Sequence, residues 1–254
     1  MPLIALTRDV SPAIARCELT HLEREPIDWA RAVEQHNGYE RMLEQLGCIV
    51  QRLPPLPDNP DAVFVEDTAV ALQELAIITR PGAESRRSEI ASVADALRNH
   101  REVASIESPG TLDGGDVLVV GSTIFVGQST RTNAEGIRQL GVLAAPHGYL
   151  VRGIQVSGCL HLKSAATRVG EDTVLLNPRW VEATLFGGFE TIEIDDSEPA
   201  AANAVSIGRE LIYPTGFDRT AERLERHGFT IHSVEMHELQ KAEGAVTCCS
   251  ILLS

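Results

Sequence analysis

Aromatic side chains are scarce in this chain: Phe, Trp and Tyr make up 4 % of 254 residues. A core of stacked rings is excluded, so aliphatic residues must fill the interior that a 43 % hydrophobic content implies. Positive charge is short as well. Lys and Arg number 22 against 36 Asp and Glu, a net charge of −14, which excludes a basic surface for nucleic acid or an anionic membrane and suits a small cationic ligand. No run of about 18 apolar residues exists to span a bilayer, and the opening segment Met1 to Arg8 is too short for the apolar region of a signal peptide. The cysteines (Cys17, Cys48, Cys159, Cys248 and Cys249) are odd in number, two are adjacent, and none has zinc-ligand spacing. The expectation is a reduced, soluble, cytoplasmic protein with neither a disulfide framework nor a zinc ribbon.

Low-complexity segments and long linkers are also absent, so residues 1–254 are expected to form one domain. What is present is a degenerate internal repeat. The first copy has a strand at 63–72 (VFVEDTAVAL), a turn, a strand at 75–80, a helix over Ser88 to Leu97 and a strand at 103–108. The same order recurs at 116–121, 124–128, Asn133 to Leu143 and 151–156. It recurs at 162–169, 173–178, Trp180 to Leu185 and 189–195, and again at 202–208, 210–214, Asp218 to His227 and 229–236. Alternation and β-branched content mark the strands; i, i+3, i+4 apolar spacing after Asn, Asp or Ser marks the helices. The second strands, near Ile78, Val126, Leu176 and Tyr213, are 48, 50 and 37 residues apart. A fifth copy is split across the termini: TCCSILL at 247–253 supplies one strand, and LIALTR at 3–8, a helix over Asp28 to Leu46 and CIVQRL at 48–53 supply the rest. Pairing of the first and last strands would close the ring and hide its edges. The reading is an α/β fold, a five-bladed pseudo-symmetric ββαβ propeller; an open α/β sandwich is the competing arrangement.

The unusual polar residues recur at one place, just before or at the start of each first strand. They are Asp61, Glu66 and Asp67; Asp113 and Asp116; His161, Lys163 and Ser164; Asn203; and Glu243, Cys248 and Cys249. In a ring, equivalent positions meet around one axis, so one central pocket should hold several carboxylates, a His and a Cys. Such a set can attack an electrophilic carbon bonded to nitrogen and protonate the departing amine. Singly, each residue has a plainer explanation: Asp-Gly-Gly is turn chemistry, His161 sits between leucines, and the two cysteines lie in an apolar strand. Glu66 and Asp67 resist it, since buried carboxylates need partners. The constellation carries the inference.

The segments DAVFVEDTAV (61–70), ITRPGAESRR (78–87), TLDGGDVL (111–118), FVGQSTRTN (125–133), HLKS (161–164), AAN (201–203) and EGAVTCCS (243–250) resemble those of the dimethylarginine dimethylaminohydrolases, guanidine-modifying enzymes with five-bladed propellers. The resemblance spans almost the whole chain. It implies Cys248 as nucleophile, His161 as general acid and base, and Asp113 as the acid that orients His161, in place of a Glu in some bacterial relatives. It further implies Asp67 with Glu66 as guanidinium clamp and Asp61 as partner of the substrate α-amino group. Arg86 and Arg131 would hold the carboxylate, a task suited to the planar guanidinium. Leu19 would lend a backbone contact from a lid, and Ala242 a backbone carbonyl, where relatives often carry a larger apolar residue.

No metal and no organic cofactor is expected, although a thiolate with His161 and an acid could capture inhibitory zinc. The expected partner is a small cationic amino acid, not a nucleic acid or membrane, and the oligomer is a monomer or a homodimer. Arginine and agmatine deiminases, by resemblance, place an Asp two residues after the His, where this chain has Lys163. A guanidinium clamped on one side by Asp67 leaves the other free for methyl groups. The other alternative is a non-catalytic protein that binds arginine derivatives.

Overall fold

The computed structural model describes residues 2–254. In chain order it comprises β1 (Ile4–Thr7), α1 (Trp29–Gln45), β2 (Ile49–Arg52), β3 (Ala69–Ala71), β4 (Leu75–Ile78), α2 (Ile90–Leu97), β5 (Glu102–Ser105), β6 (Val117–Val120), β7 (Thr123–Gln128), α3 (Ala134–Ala144), β8 (Leu150–Gln155), α4 (Leu162–Ala165), β9 (Ala166–Arg168), β10 (Thr173–Leu176), β11 (Glu190–Glu193), β12 (Val205–Ile207), β13 (Glu210–Pro214), α5 (Asp218–Arg226), β14 (Thr230–Val234), α6 (His237–Gln240) and β15 (Ile251–Leu253). The strands form five sheets of three, ordered β15-β1-β2, β3-β4-β5, β6-β7-β8, β9-β10-β11 and β12-β13-β14. In each the first pair is antiparallel and the second parallel. A parallel pair needs a crossover, and a helical segment supplies it in every unit. The split blade forms as expected, with Ile4 opposite both Leu253 and Ile49.

The buried apolar residues fall into five clusters, and each cluster is a seam between two blades. Leu6, Ile78 and Leu97 share one, Ile77, Val126 and Leu140 the next, and Phe125, Leu176 and Phe186 the third. Leu175, Tyr213 and Leu224 share the fourth; Ala5, Tyr39 and Ile212 join the last blade to the first. Five seams for five blades make a closed ring, which an open sandwich would not. Burial of each seam supplies the driving force, at about 25 cal/mol per Å² of apolar surface. Helix starts follow the capping residues: the side chains of Asp28 and Asn133 accept N–H bonds from Arg31 and Gly136.

Two expectations are corrected. The segment Trp180 to Leu185 is not an α-helix; only a 3₁₀ turn, Ala183–Phe186, forms, and Gly187 and Gly188 follow it at once. The first strands are also shorter than alternation suggests. In three blades a 3₁₀ turn stands before the strand (Val65–Thr68, Gly114–Asp116 and Thr247–Cys249), and in a fourth it is α4. Glu66, Asp67 and both adjacent cysteines therefore sit in helical turns, not strands. First strands converge on the axis, and these turns bring the polar residues to it.

Glycines mark where backbones meet. A Cβ on Gly114 would lie 2.0 Å from the carbonyl oxygen of Glu66, whereas one on Gly141, inside α3, would meet Val151 at an ordinary 3.7 Å. Denaturant titration is expected to show Gly114→Ala losing about 3 kcal/mol of stability, and Gly141→Ala gaining about 0.5–1 kcal/mol. Equal effects at the two sites would refute this account of Gly114.

Candidate active site

Two of these turns, and the residue that caps α4, meet on one small cavity, lined by Glu18, Asp61, Phe64, Asp67, Arg86, Arg131, Leu160, His161, Ala242, Glu243, Gly244 and Cys248. Asp67, His161 and Cys248 are thus brought together from separate blades. Cys249 turns away, fully buried among Tyr39, Leu43 and Val246. Of the two thiols only that of Cys248 faces this cavity, and it is the 3₁₀ turn Thr247–Cys249 that separates them.

Asp113 does not line the cavity. It lies behind His161, wholly buried, with Oδ2 3.1 Å from His161 Nε2 and Oδ1 accepting the N–H of Gly82 at 2.9 Å. His161 Nδ1 is 3.8 Å from Oδ1 of Asp67. The Gly-Gly after Asp113 lies in the 3₁₀ turn Gly114–Asp116, and its lack of side chains serves close approach: a Cβ on Gly115 would stand 2.7 Å from His161 Nδ1, and the Gly115 N–H donates to Asp67 at 3.0 Å. Burial opposes a charge on His161, but Asp67, then Asp116 and Asp113, outweigh it and raise its pKa to about 9. The imidazole is therefore protonated at neutral pH. Asp67 is held below the usual carboxylate range, because His161 and Arg86 overcome the cost of burying it. Burial, with Glu66 and Asp67 nearby, pushes the Cys248 thiol well above its ordinary value.

Arg86 and Arg131 both reach this cavity but are not equivalent. Arg86 is 4 % exposed and donates to Asp67 Oδ2 at 2.5 Å, Glu89 Oε2 at 2.8 Å and the carbonyl of Phe64 at 2.8 Å. Arg131 is only half-buried, and its Nη2 donates to the Thr20 hydroxyl at 3.2 Å. Asp61 accepts the N–H of Glu18 at 3.2 Å, and burial, opposed by Arg86, lifts its pKa to about 6. Leu19 packs against the apolar seam and does not line the cavity; Glu18 does. Residues 18–22 form a strap over the mouth, held by Glu243, whose carboxylate accepts the N–H groups of Thr20, His21 and Leu22 at 3.0, 2.5 and 2.7 Å. Glu243 has φ of 57°, rare outside glycine, and no local sequence signal marks its role. Under the strap the free volume is about 20 Å³, room for about one water.

Glu66 does not line this cavity either. Its carboxylate binds Lys163 Nζ at 2.7 Å and the Thr247 hydroxyl at 2.8 Å, facing a second cavity of about 190 Å³ along the ring axis. Neighbours in sequence thus face different cavities: Glu66 and Asp67, Thr247 and Cys248. As for a metal, Asp67, Asp113 and His161 offer three ligand atoms within 4.8 Å of one another. Arg86, Gly115 and Gly82 already occupy these carboxylates, and a cation would have to displace the charge of Arg86.

A family profile described as "N,N dimethylarginine dimethylhydrolase, eukaryotic" matches residues 18–178. The N(G),N(G)-dimethylarginine dimethylaminohydrolase of Streptomyces coelicolor is 42 % identical over 252 residues, covering 98 % of this chain and 96 % of that protein. Its namesake from Pseudomonas aeruginosa is 38 % identical over 226 residues, covering 88 % and 89 %. A cysteine-to-serine mutant of the Pseudomonas aeruginosa enzyme, complexed with citrulline, superposes with a TM-score of 0.95 at 34 % identity over 100 % of both chains. The N-terminal domain of the cyanobacterial arginine dihydrolase ArgZ shares the fold at 18 % identity, with a TM-score of 0.90 over 100 % of this chain and 98 % of that one.

Proposed function

The chain belongs to the dimethylarginine dimethylaminohydrolase family, and on that premise we propose that it hydrolyses Nω-methylated arginine to citrulline, releasing dimethylamine or methylamine. The observation that carries the reading is the single cavity shared by Cys248, His161 and the buried carboxylate Asp67. Asp67 holds the guanidinium, and Asp61 and the Ala242 carbonyl hold the α-ammonium. Arg131, with the remaining donor capacity of Arg86, holds the α-carboxylate, while the strap around Leu19 closes over the bound molecule. The Lys163–Glu66 pair, at 2.7 Å, cancels the other carboxylate near the guanidinium, so its substituted nitrogen meets no competing acid.

The raised thiol pKa of Cys248 means that the free enzyme holds a neutral thiol at pH 7. The bound guanidinium brings the positive charge that makes a thiolate affordable beside Asp67. As the cation binds, the thiol proton leaves to solvent and the thiolate sulfur adds to the central carbon; His161, oriented by Asp113, gives its proton to the methylated nitrogen, and the C–N bond breaks. A cationic thiouronium joined to Cys248 remains. Neutral His161 then takes a proton from water, whose oxygen adds to the same carbon; the C–S bond breaks as the proton of the new hydroxyl passes to the departing sulfur, giving citrulline and the free thiol with His161 again protonated. The working unit is one catalytic domain, residues 1–254, since the split blade needs both ends of the chain. The five unpaired cysteines fit a reducing cytoplasm. Asymmetric dimethylarginine is expected to yield citrulline and dimethylamine in equal amounts. Binding without citrulline from any arginine derivative would leave the non-catalytic alternative.

The pKa values set a pH dependence. Asp61 must be ionised to hold the α-ammonium, so competence is lost as pH falls through about 6. His161 must be protonated to supply the leaving amine, so competence is lost as pH rises through about 9. A bell-shaped kcat/KM with those limbs is expected. Asp113→Asn should move the alkaline limb downward; an unmoved limb would assign it to the substrate amine instead.

A further inference from the structure

Asp116 is fully buried, yet the steps above make no use of it. It ends the turn Gly114–Asp116, and each of its oxygens has a partner from a different blade element. Oδ1 accepts the backbone N–H of Leu162, the residue bonded to His161, at 3.0 Å. Oδ2 accepts the hydroxyl of Ser129, beyond the end of β7, at 2.6 Å. Ser129 Oγ in turn accepts the N–H groups of Arg131 and Thr132 at 3.0 and 3.2 Å. The chain of bonds closes through Thr132 Oγ1, which accepts the N–H of Asp113 at 3.1 Å. Space for the carboxylate is built in: a Cβ on Gly127 would lie 2.8 Å from Asp116 Oδ1 and 3.0 Å from Cβ of Leu162. A carboxylate buried this deeply persists only where hydrogen bonds and charge repay its desolvation.

We propose that Asp116 is a positioning residue for the hydrolysis, one carboxylate that holds the main chain of His161 and the loop of Arg131 in fixed relation to each other. The inference rests on the functional reading above. One branch sets where the proton donor stands, and the other sets where the substrate carboxylate is gripped. The distance between them must match the length of an arginine side chain. Asp116 also adds negative charge near His161, together with Asp67 from the turn 65–68 and Asp113 from its own turn; Arg86 stands beyond Asp67, Cys248 lines the same cavity, and Lys163 follows two residues later.

The test uses the full-length protein with Asp116→Asn, which keeps size and one acceptor oxygen, beside Ser129→Ala, which removes the hydroxyl that holds the Arg131 and Thr132 N–H groups but leaves the Asp116 bond to Leu162 and the Thr132 bond to Asp113 in place. For Asp116→Asn, kcat should fall about 10- to 100-fold through misplacement of the proton donor, and the alkaline limb of kcat/KM should move to lower pH. For Ser129→Ala, KM for asymmetric dimethylarginine should rise several-fold, with kcat within about twofold and the limb unmoved. An NMR titration of the His161 ring, which needs no turnover, should give a lower pKa in Asp116→Asn than in wild type. Wild-type kinetics and His161 titration in Asp116→Asn would overturn the proposal, as would a loss equal at every pH with an unmoved His161, the mark of a merely structural role. If Asp116→Asn does not fold, Ser129→Ala decides: an unchanged KM, or a fall in kcat, rejects the linkage. If wild type forms no citrulline, the functional reading fails by itself, and the His161 titration alone decides the position of Asp116.

Discussion

Replacing Cys248 with serine is expected to abolish citrulline formation, by at least about a thousandfold, while binding of methylarginine stays within a few-fold of wild type. Cys248 lines the cavity with Asp67 and His161, and in the proposed reading the guanidinium is held by Asp67, not by the sulfur. A serine hydroxyl in that place is a far weaker nucleophile, and the cation that creates a thiolate does not create an alkoxide. Cys249→Ser gives the opposite pattern. Cys249 is fully buried in the seam, and its thiol faces the carbonyl of Ala245 at 3.6 Å. A hydroxyl there costs stability, about 1–3 kcal/mol, with kcat within about twofold. Citrulline assays, equilibrium binding and denaturant titration on both variants separate the two roles. Labelling of both thiols to the same extent by an electrophilic arginine analogue would contradict the assignment.

Agmatine is expected to be turned over at least about a thousandfold more slowly than asymmetric dimethylarginine, and arginine tens-fold more slowly, both in kcat/KM. Agmatine carries no carboxylate, so Arg131 and Asp61 close on half a substrate head group; a site built to hydrogen-bond a missing group rejects the analogue strongly, by about 10⁴ or more in favourable cases. Arginine keeps every charged contact and loses only its methyl groups, worth about 1–3 kcal/mol. The discrimination depends on Glu66 being tied to Lys163 at 2.7 Å and turned toward the axis. Steady-state rates with the three compounds decide the matter. Turnover of arginine equal to or above that of the methylated compounds would make the chain an arginine deiminase by activity, leaving the roles of Cys248, His161 and Asp113 intact.

The strap is expected only through the resemblance, as a lid at Leu19; its anchor at Glu243, the hidden position of Asp113 and the direction of Glu66 are not legible in the chain. Glu18 lines the cavity, yet nothing in its neighbourhood distinguishes it from a surface acid; Glu243 stands among the polar residues of the split unit, but its hold on residues 20–22 does not show there. Glu243 acquires its role because Thr20, 223 residues away, offers an N–H to it. Reading VFVEDTAVAL as one strand places Glu66 and Asp67 on opposite faces, which happens to separate them. The real cause is the 3₁₀ turn Val65–Thr68, which packs against Gly114 so closely that a Cβ there would lie 2.0 Å from the carbonyl oxygen of Glu66.

By itself the sequence determined the five three-stranded units with the helix in four of them, the closure through TCCSILL and LIALTR, and the convergence of Asp67, His161 and Cys248. Those follow from periodicity, turn residues and the equivalence of positions in a repeat, all written in neighbouring residues. Only the tertiary structure decided which of two adjacent polar residues faces which cavity, and which acid stands behind His161. It also joined Asp116 to both ends of the site. The physical reason is that a helical turn or a strand directs its side chains by φ and ψ, and at the axis those angles are set by backbones from other blades pressing within van der Waals contact.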